Sequence, residues 1–173
     1  MKENPLEWAV TYMMAQYEIA GTYCKFPENT IRYIRTKNVV STLWNQGRFN
    51  YWFDELSKPI HREPPPIVTQ KVVIQPRTFY ILTDGNHRTE AYKHLDIRLI
   101  KAEISGEVTV NKGSFVLVDQ EQLWVEIPNA PFKSYKIITT GLSPECAGEL
   151  INLGVKTAGQ IIMENHYEIS KKR

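Results

Sequence analysis

The stretch ILTDGNHRTEAYKHL, Ile81–Leu95, changes pattern at a single turn. Ile81 and Thr83 are β-branched and favour a strand, whereas the residues from Asn86 to Leu95 have a helical composition. A strand ending at Thr83 and a helix starting near Asn86 leave a tight turn at Asp84-Gly85, where glycine supplies backbone conformations closed to other residues. The first amides of such a helix have no intrahelical partner, and the helix dipole puts partial positive charge at the same place. An anion site is therefore expected. His87 and Arg88 fall in the first turn, where positive charge opposes the helix dipole by roughly 0.3–1 kcal/mol per group. A phosphate would supply the missing negative charge. The alternative is local: Arg88 pairs with Asp84 or Glu90, and Asp-Gly is an ordinary turn.

Outward from the turn, IVTQKVVI (from Ile67) and TFYILT read as two strands joined by QPR, and IRLIKAEI reads as a third. EVTVN, SFVLV and QLWVEI continue as a meander to Ile127. Upstream, Asn4, Pro5 and Glu7 make a capping box for one amphipathic helix carrying Trp8, Tyr12, Ala15 and Ile19 up to Gly21. A second helical stretch is expected from Pro27 and Glu28 through ENTIRYIR, followed by KNVVSTLWNQG and FNYWFDEL, and HREPPP is expected to cross the surface in extended form. Beyond Ile127 the chain reads as helical again. Ser143-Pro144 starts one helix, Gly154 stops it, Thr157 caps another, and a basic KKR tail is expected to be disordered. The predicted fold class is α+β, a small mixed sheet flanked by helices, with residues 1–127 as one domain and 128–173 as a helical appendage.

Composition limits the function classes. The chain has 173 residues, 42% of them hydrophobic, with 21 Lys and Arg against 19 Asp and Glu, so nucleic acid would have to be held by a local patch. No apolar run approaches the roughly 20 residues of a membrane span. Cys24 and Cys146 lie far apart, without partners at metal-ligand spacing, and the expectation is a cytoplasmic, reduced protein without a protein-held metal.

The stretch ILTDGNHRTEAYKHLDIRLIKAEI resembles the strand–turn–helix–strand core of the ParB/sulfiredoxin superfamily, whose DG-x-HR or GG-C-HR motif holds nucleotide phosphates. The resemblance covers roughly residues 26–104. It implies a nucleotide-phosphate cradle formed by Asp84, Gly85, Asn86, His87 and Arg88, with ATP or another nucleotide bound and Mg2+ accompanying it. FPEN resembles the acidic position used by free-serine kinases of the superfamily, which implies Glu28 as a catalytic base alongside His87. The match departs from the sulfiredoxins at their cysteine, because Asn86 stands there, and this disfavours sulfinic acid repair. Cys24 is read instead as a small buried hydrophobe. The segment after the motif is too short for the helix-turn-helix and dimerisation modules of a full partition protein.

GLSPECAGELINLGVKTAGQII resembles a helix-hairpin-helix unit, with Ala147, Leu150, Leu153, Val155, Ala158 and Ile161 in the apolar places. DNA contact through these helices and a plain packing role are both open, with packing favoured by the low positive charge. Trp44, Phe49, Tyr51, Trp52 and Phe53 are read as core in preference to a base-stacking platform. His61 and Arg62 are read as a solvated loop, His94 as facing solvent or the sheet, and His166 as having no ligand partner. Three functions remain: a Mg-dependent NTPase or phosphotransferase, a DNA-binding or nuclease module, and a non-catalytic plasmid or phage interaction factor.

Overall fold

The computed structural model describes residues 4–41 and 46–171, and it is a mixed α+β structure. Trp44 and the last two residues of the basic tail lie outside the described residues. The chain divides into two compact units, one of Tyr23–Val108 and one of Met1–Thr22 with Thr109–Arg173. The division read from sequence at 127/128 does not coincide with this one. Among the described residues, no helix is long and apolar enough to cross a membrane.

The Tyr23–Val108 unit contains most of a five-stranded sheet in the order β1-β5-β3-β4-β2. Its strands are β1 (Gly21–Arg35), β2 (Val39–Val40), β3 (Ile67–Ile74), β4 (Arg77–Asp84) and β5 (Leu99–Val110), and its helices are α3 (Gln46–Ser57) and α4 (Asn86–His94). The hairpin β3–β4 is antiparallel with Val72 opposite Phe79, and its register shifts next to Val68, which pairs with Asp84. β5 follows β3 at a constant offset, since Ser105 Oγ donates to Thr69 O and Lys71 pairs with Glu107, so these two strands run parallel. β1 runs antiparallel to β5, with Asn29 bonded to Glu103 and the Thr36 amide to Arg98 O. Alternate residues of β5 are buried, and Ile100, Ala102 and Ile104 join Ile34, Val39 and Ile67 in the core. This two-residue period is the reason IRLIKAEI and EVTVN form one strand: the alternation passes through Gly106 without interruption.

The expected helix over ENTIRYIR is not formed, and the segment is the second half of β1. Ile31, Tyr33 and Thr30 are β-branched or aromatic, and backbone pairing with β5 outweighs the helix-start signal of Pro27-Glu28. The aromatic segment does form a helix, α3, whose Phe49, Phe53 and Leu56 pack around Ala91 of α4. Trp52 is half-buried in the same cluster and Tyr51 is exposed, so this part of the aromatic group is chiefly core.

The other unit holds α1 (Pro5–Met14), α2 (Tyr17–Ala20), α5 (Pro144–Asn152), α6 (Ala158–Lys171) and a four-stranded sheet. The sheet order is β8-β7-β6-β9, from β6 (Phe115–Val118), β7 (Gln122–Ile127), β8 (Ser134–Thr139) and β9 (Lys156–Thr157). Asn4 caps α1 by accepting from the Leu6 amide at 3.1 Å. The single helix expected up to Gly21 is interrupted where the Gln16 amide bonds to Met13 O, three residues back, and its buried face is Ala9, Val10 and Met13, with Trp8 and Ala15 exposed. β8 was expected to be helical. Its Tyr135, Ile137, Ile138 and Thr139 favour a strand, and the segment pairs with β7. α5 ends in a Schellman motif: the Val155 amide reaches Leu150 O, the Gly154 amide reaches Ile151 O, and Gly154 takes φ +100°. Thr157 and Gln160 bond each other's amides at the start of α6, as in a capping box.

Candidate functional site

Gly85 opens α4 with φ +101°, a left-handed conformation that L side chains rarely adopt, and an added Cβ would lie 2.5 Å from Ile67 Cγ2. Glycine is needed there on both counts. The strand-to-helix junction is therefore placed as the sequence indicates, and the N-cap of α4, Gly85, has no side chain with which to bond the first amides. In front of them lies a surface hollow of about 330 Å3 lined by Arg48, Trp52 and Pro65 together with Thr83–Arg88. All five expected cradle residues, Asp84, Gly85, Asn86, His87 and Arg88, line it. Asn86 Oδ1 accepts from Ser41 Oγ at 3.1 Å, which orients the amide group. His87 Nε2 is buried and has no hydrogen-bond partner among the described residues. Leaving such an atom unpaired costs about 1–3 kcal/mol, and His87 is among the residues that line the hollow.

Arg88 also lines the hollow, but its charge is occupied. The guanidinium is buried, donates to Pro65 O, to Pro66 O at 3.5 Å and to Asp84 Oδ2 at 3.1 Å, and lies over the Trp52 ring at 5.3 Å. The local alternative raised by the sequence is thus the observed one for this residue, with Asp84 as partner; Glu90 pairs with Lys93 instead. Two main-chain carbonyls of the proline-rich crossing complete the arrangement. Sequence patterns carry no signal for such contacts, because the acceptors are backbone atoms more than twenty positions away.

Glu28 is not brought to the turn. It sits exposed on β1, beside Phe26, Pro27, Thr30 and Arg32. Pairings of Asp84 with Val68, Thr69 with Ser105, and Glu103 with Asn29 place it level with the turn but three strands across the sheet. At about 4.8 Å per strand this is about 14 Å, beyond one bridging water or metal ion. Its expected place at a helix start disappears with that helix.

A second hollow, of about 200 Å3, lies on the other side of Pro65 and Arg88, with Tyr33, His61, Glu63 and Lys101 on its walls. Glu63 accepts from the Tyr33 hydroxyl at 2.9 Å and from Lys101 at 3.3 Å. These two contacts hold its carboxyl below the usual carboxylate range, and the same bond to Glu63 pushes the Tyr33 phenol up. The proline-rich crossing is fastened to the unit at Glu63 and again at Pro65, features that no local motif predicts.

The remaining candidates have structural surroundings. Cys24 is exposed on β1, contrary to its reading as a buried hydrophobe, while Cys146 is buried. Burial, with the charge of Glu149 behind it, pushes the Cys146 thiol up. His94 packs edge-on against Phe49 at 4.9 Å, and His61 and His166 are exposed. Ala147, Leu150, Leu153 and Val155 are buried, as the helix-hairpin-helix resemblance requires, but Lys156–Thr157 between the helices pairs with β6 as a strand. Among the described residues, no group of three or more His, Cys, Asp or Glu side chains could hold a metal ion. No protein-family model matches the chain, and a comparison with curated proteins finds no match.

Proposed function

We propose that this protein binds the phosphates of a nucleotide, ATP or a relative of it, in the hollow at the start of α4. The observation that supports this best is the conjunction at one place of a helix start whose N-cap is glycine and of His87, whose Nε2 has no partner among the described residues, in a hollow also lined by Arg48 and Asn86. A phosphate oxygen there accepts from amides at the start of α4, and His87, in the tautomer with a proton on Nε2, donates a further bond once its ring turns toward the ligand. Arg88 acts at one remove. It fixes the turn and the proline-rich wall against each other, so the amides are held in place before the ligand arrives.

Asp84 stands at the rim with its side chain 71% exposed, one oxygen paired with Arg88. A single carboxylate of this kind suits Mg2+ delivered with the nucleotide, since Mg2+ is commonly held by one or two carboxylates plus substrate phosphates. Bound there, Mg2+ would neutralise charge on the phosphates. Of the two catalytic expectations, His87 belongs to the hollow, and Glu28 does not enter the proposal because of its distance. The exposed Cys24 and buried Cys146, both unpaired, fit a reducing cytoplasm.

The test is a thermal-denaturation panel with ATP, ADP, GTP, inorganic phosphate and short DNA duplexes, each with and without Mg2+. A nucleotide present at about 100 times its Kd stabilises by about 2.7 kcal/mol, an easily read shift. Stabilisation by nucleotides that His87→Ala weakens supports the proposal. A response to DNA alone would move the assignment to a nucleic-acid-binding module, and no response to any phosphate ligand would remove it.

A further inference from the structure

The five-stranded sheet ends on one side at the two-residue β2, whose Val39 and Val40 are both buried, so that edge is closed. The other edge is β1, 15 residues long. Its side chains are exposed over Thr22–Lys25 and again over Pro27–Tyr33, and Ile31 and Tyr33 retain 55% and 59% of their accessible surface. A long exposed edge strand presents a row of main-chain N–H and C=O groups ready to pair with another strand. Glu28 and Arg32 are both exposed and have no ion-pair partner in their own chain among the described residues. A shallow trough of about 420 Å3 runs between them, bordered also by Phe26, Pro27 and Thr30.

We propose that β1 is the pairing edge for a second copy of this chain, strand against strand and antiparallel, with Thr30 on the two-fold axis. A two-fold axis normal to the sheet keeps each face on its own side, so it must pass through a residue and not between two. With Thr30 on the axis, Glu28 of each copy lies opposite Arg32 of the other, giving two ion pairs. Phe26 lies opposite Ile34, and both are on the side that packs on the core. Directly opposed residues have Cβ atoms about 4.5–5.5 Å apart, within reach of an ion pair. Moving the axis by one residue destroys this fit. Asn29 on the axis sets Glu28 against Thr30 and Arg32 against Phe26, and Ile31 on the axis sets Glu28 against Ile34 and Arg32 against Thr30. The like-charged pair Lys25–Arg35 falls at the outer ends of the paired segment, where separation costs least. Pro27, which has no amide to give, meets Tyr33 toward those ends as well.

The experiment is sedimentation equilibrium on the full chain, with no ligand. A reversible dimer is expected, Glu28→Arg should raise its Kd at least about ten-fold by setting Arg against Arg, and Glu28→Arg combined with Arg32→Glu should restore it. Because both residues are exposed, circular dichroism should report the same fold for each variant. A second measurement stands apart from the charge reversal. In a Cys24→Ser background, Thr30→Cys should form an intermolecular disulfide under mild oxidation, since it faces its own copy, and Ile31→Cys, opposite Asn29 on the other face, should not. A monomer at about 0.5 mM, a dimer indifferent to the charge reversal, or cross-linking of Ile31→Cys as fast as Thr30→Cys would each overturn the proposal.

Discussion

Arg88, in the first turn of α4, donates to the main-chain carbonyl of Pro65 and so ties the helix start to the proline-rich crossing. A cation at a helix N-terminus looks misplaced in sequence, but here two carbonyl dipoles and the Asp84 carboxylate compensate it. Arg88→Met, which keeps the apolar stem over Trp52, should lower the unfolding free energy by about 1.5–3 kcal/mol, the size of a lost charged hydrogen bond. Urea denaturation measures this directly. A variant with an unchanged midpoint would mean that the contacts to Pro65 and Asp84 contribute nothing net.

Two glycines should respond to alanine with opposite signs. Gly85→Ala puts a Cβ 2.5 Å from Ile67 Cγ2 on a residue at φ +101°, and it should destabilise by about 1–3 kcal/mol. Gly148 lies inside α5, and beyond its own helix backbone no atom of the described residues comes within 4 Å of an added Cβ. Gly148→Ala should stabilise by about 0.5–1 kcal/mol through helix propensity alone. Thermal unfolding of the pair, with shifts in opposite directions, is the expected result.

Glu63 should make the fastening of the proline-rich crossing sensitive to acid. The Tyr33 hydroxyl, and then Lys101, lower its folded pKa. Its contribution is therefore present above the unfolded value of about 4.3 and is lost as pH falls through the lower, folded value. A carboxyl NMR titration should find Glu63 titrating below the ordinary glutamate value. Tyr33→Phe should move it back up; no movement would remove the hydroxyl as the main cause.

The two cysteines should separate cleanly toward a thiol reagent. Cys24 is exposed, whereas Cys146 is buried in α5 with its thiol pKa raised by that burial. The native protein should lose one thiol rapidly to an aromatic disulfide reagent at neutral pH, and the second only as the unit unfolds. Cys24→Ser should abolish the fast phase.

What could be read from the sequence was whatever local chemistry determines. Ser143 and Thr157 as caps, Gly154 as a helix stop, the hairpin on either side of QPR and the junction at Asp84-Gly85 all depend on residues within a few positions of one another. Residues 28–35 went the other way because their helix signal was weak and local, while their pairing partner in β5 lies about seventy positions on. The assignment of Glu28 failed with that segment, since a strand at the far edge of the sheet cannot bring a carboxylate to the start of α4. The second and third acceptors of Arg88 were hidden for a related reason: a proline carbonyl has no sequence signature as a ligand.

Amide shifts in a 1H–15N correlation spectrum, followed during titration with ADP and then with ATP and Mg2+, test the phosphate site most directly. The amides of Asn86, His87 and Arg88 should move first and furthest and should saturate together, with His87→Ala weakening the titration by about three- to ten-fold, as for a lost neutral hydrogen bond. Shifts centred elsewhere, or none at millimolar nucleotide, would contradict phosphate binding at the start of α4.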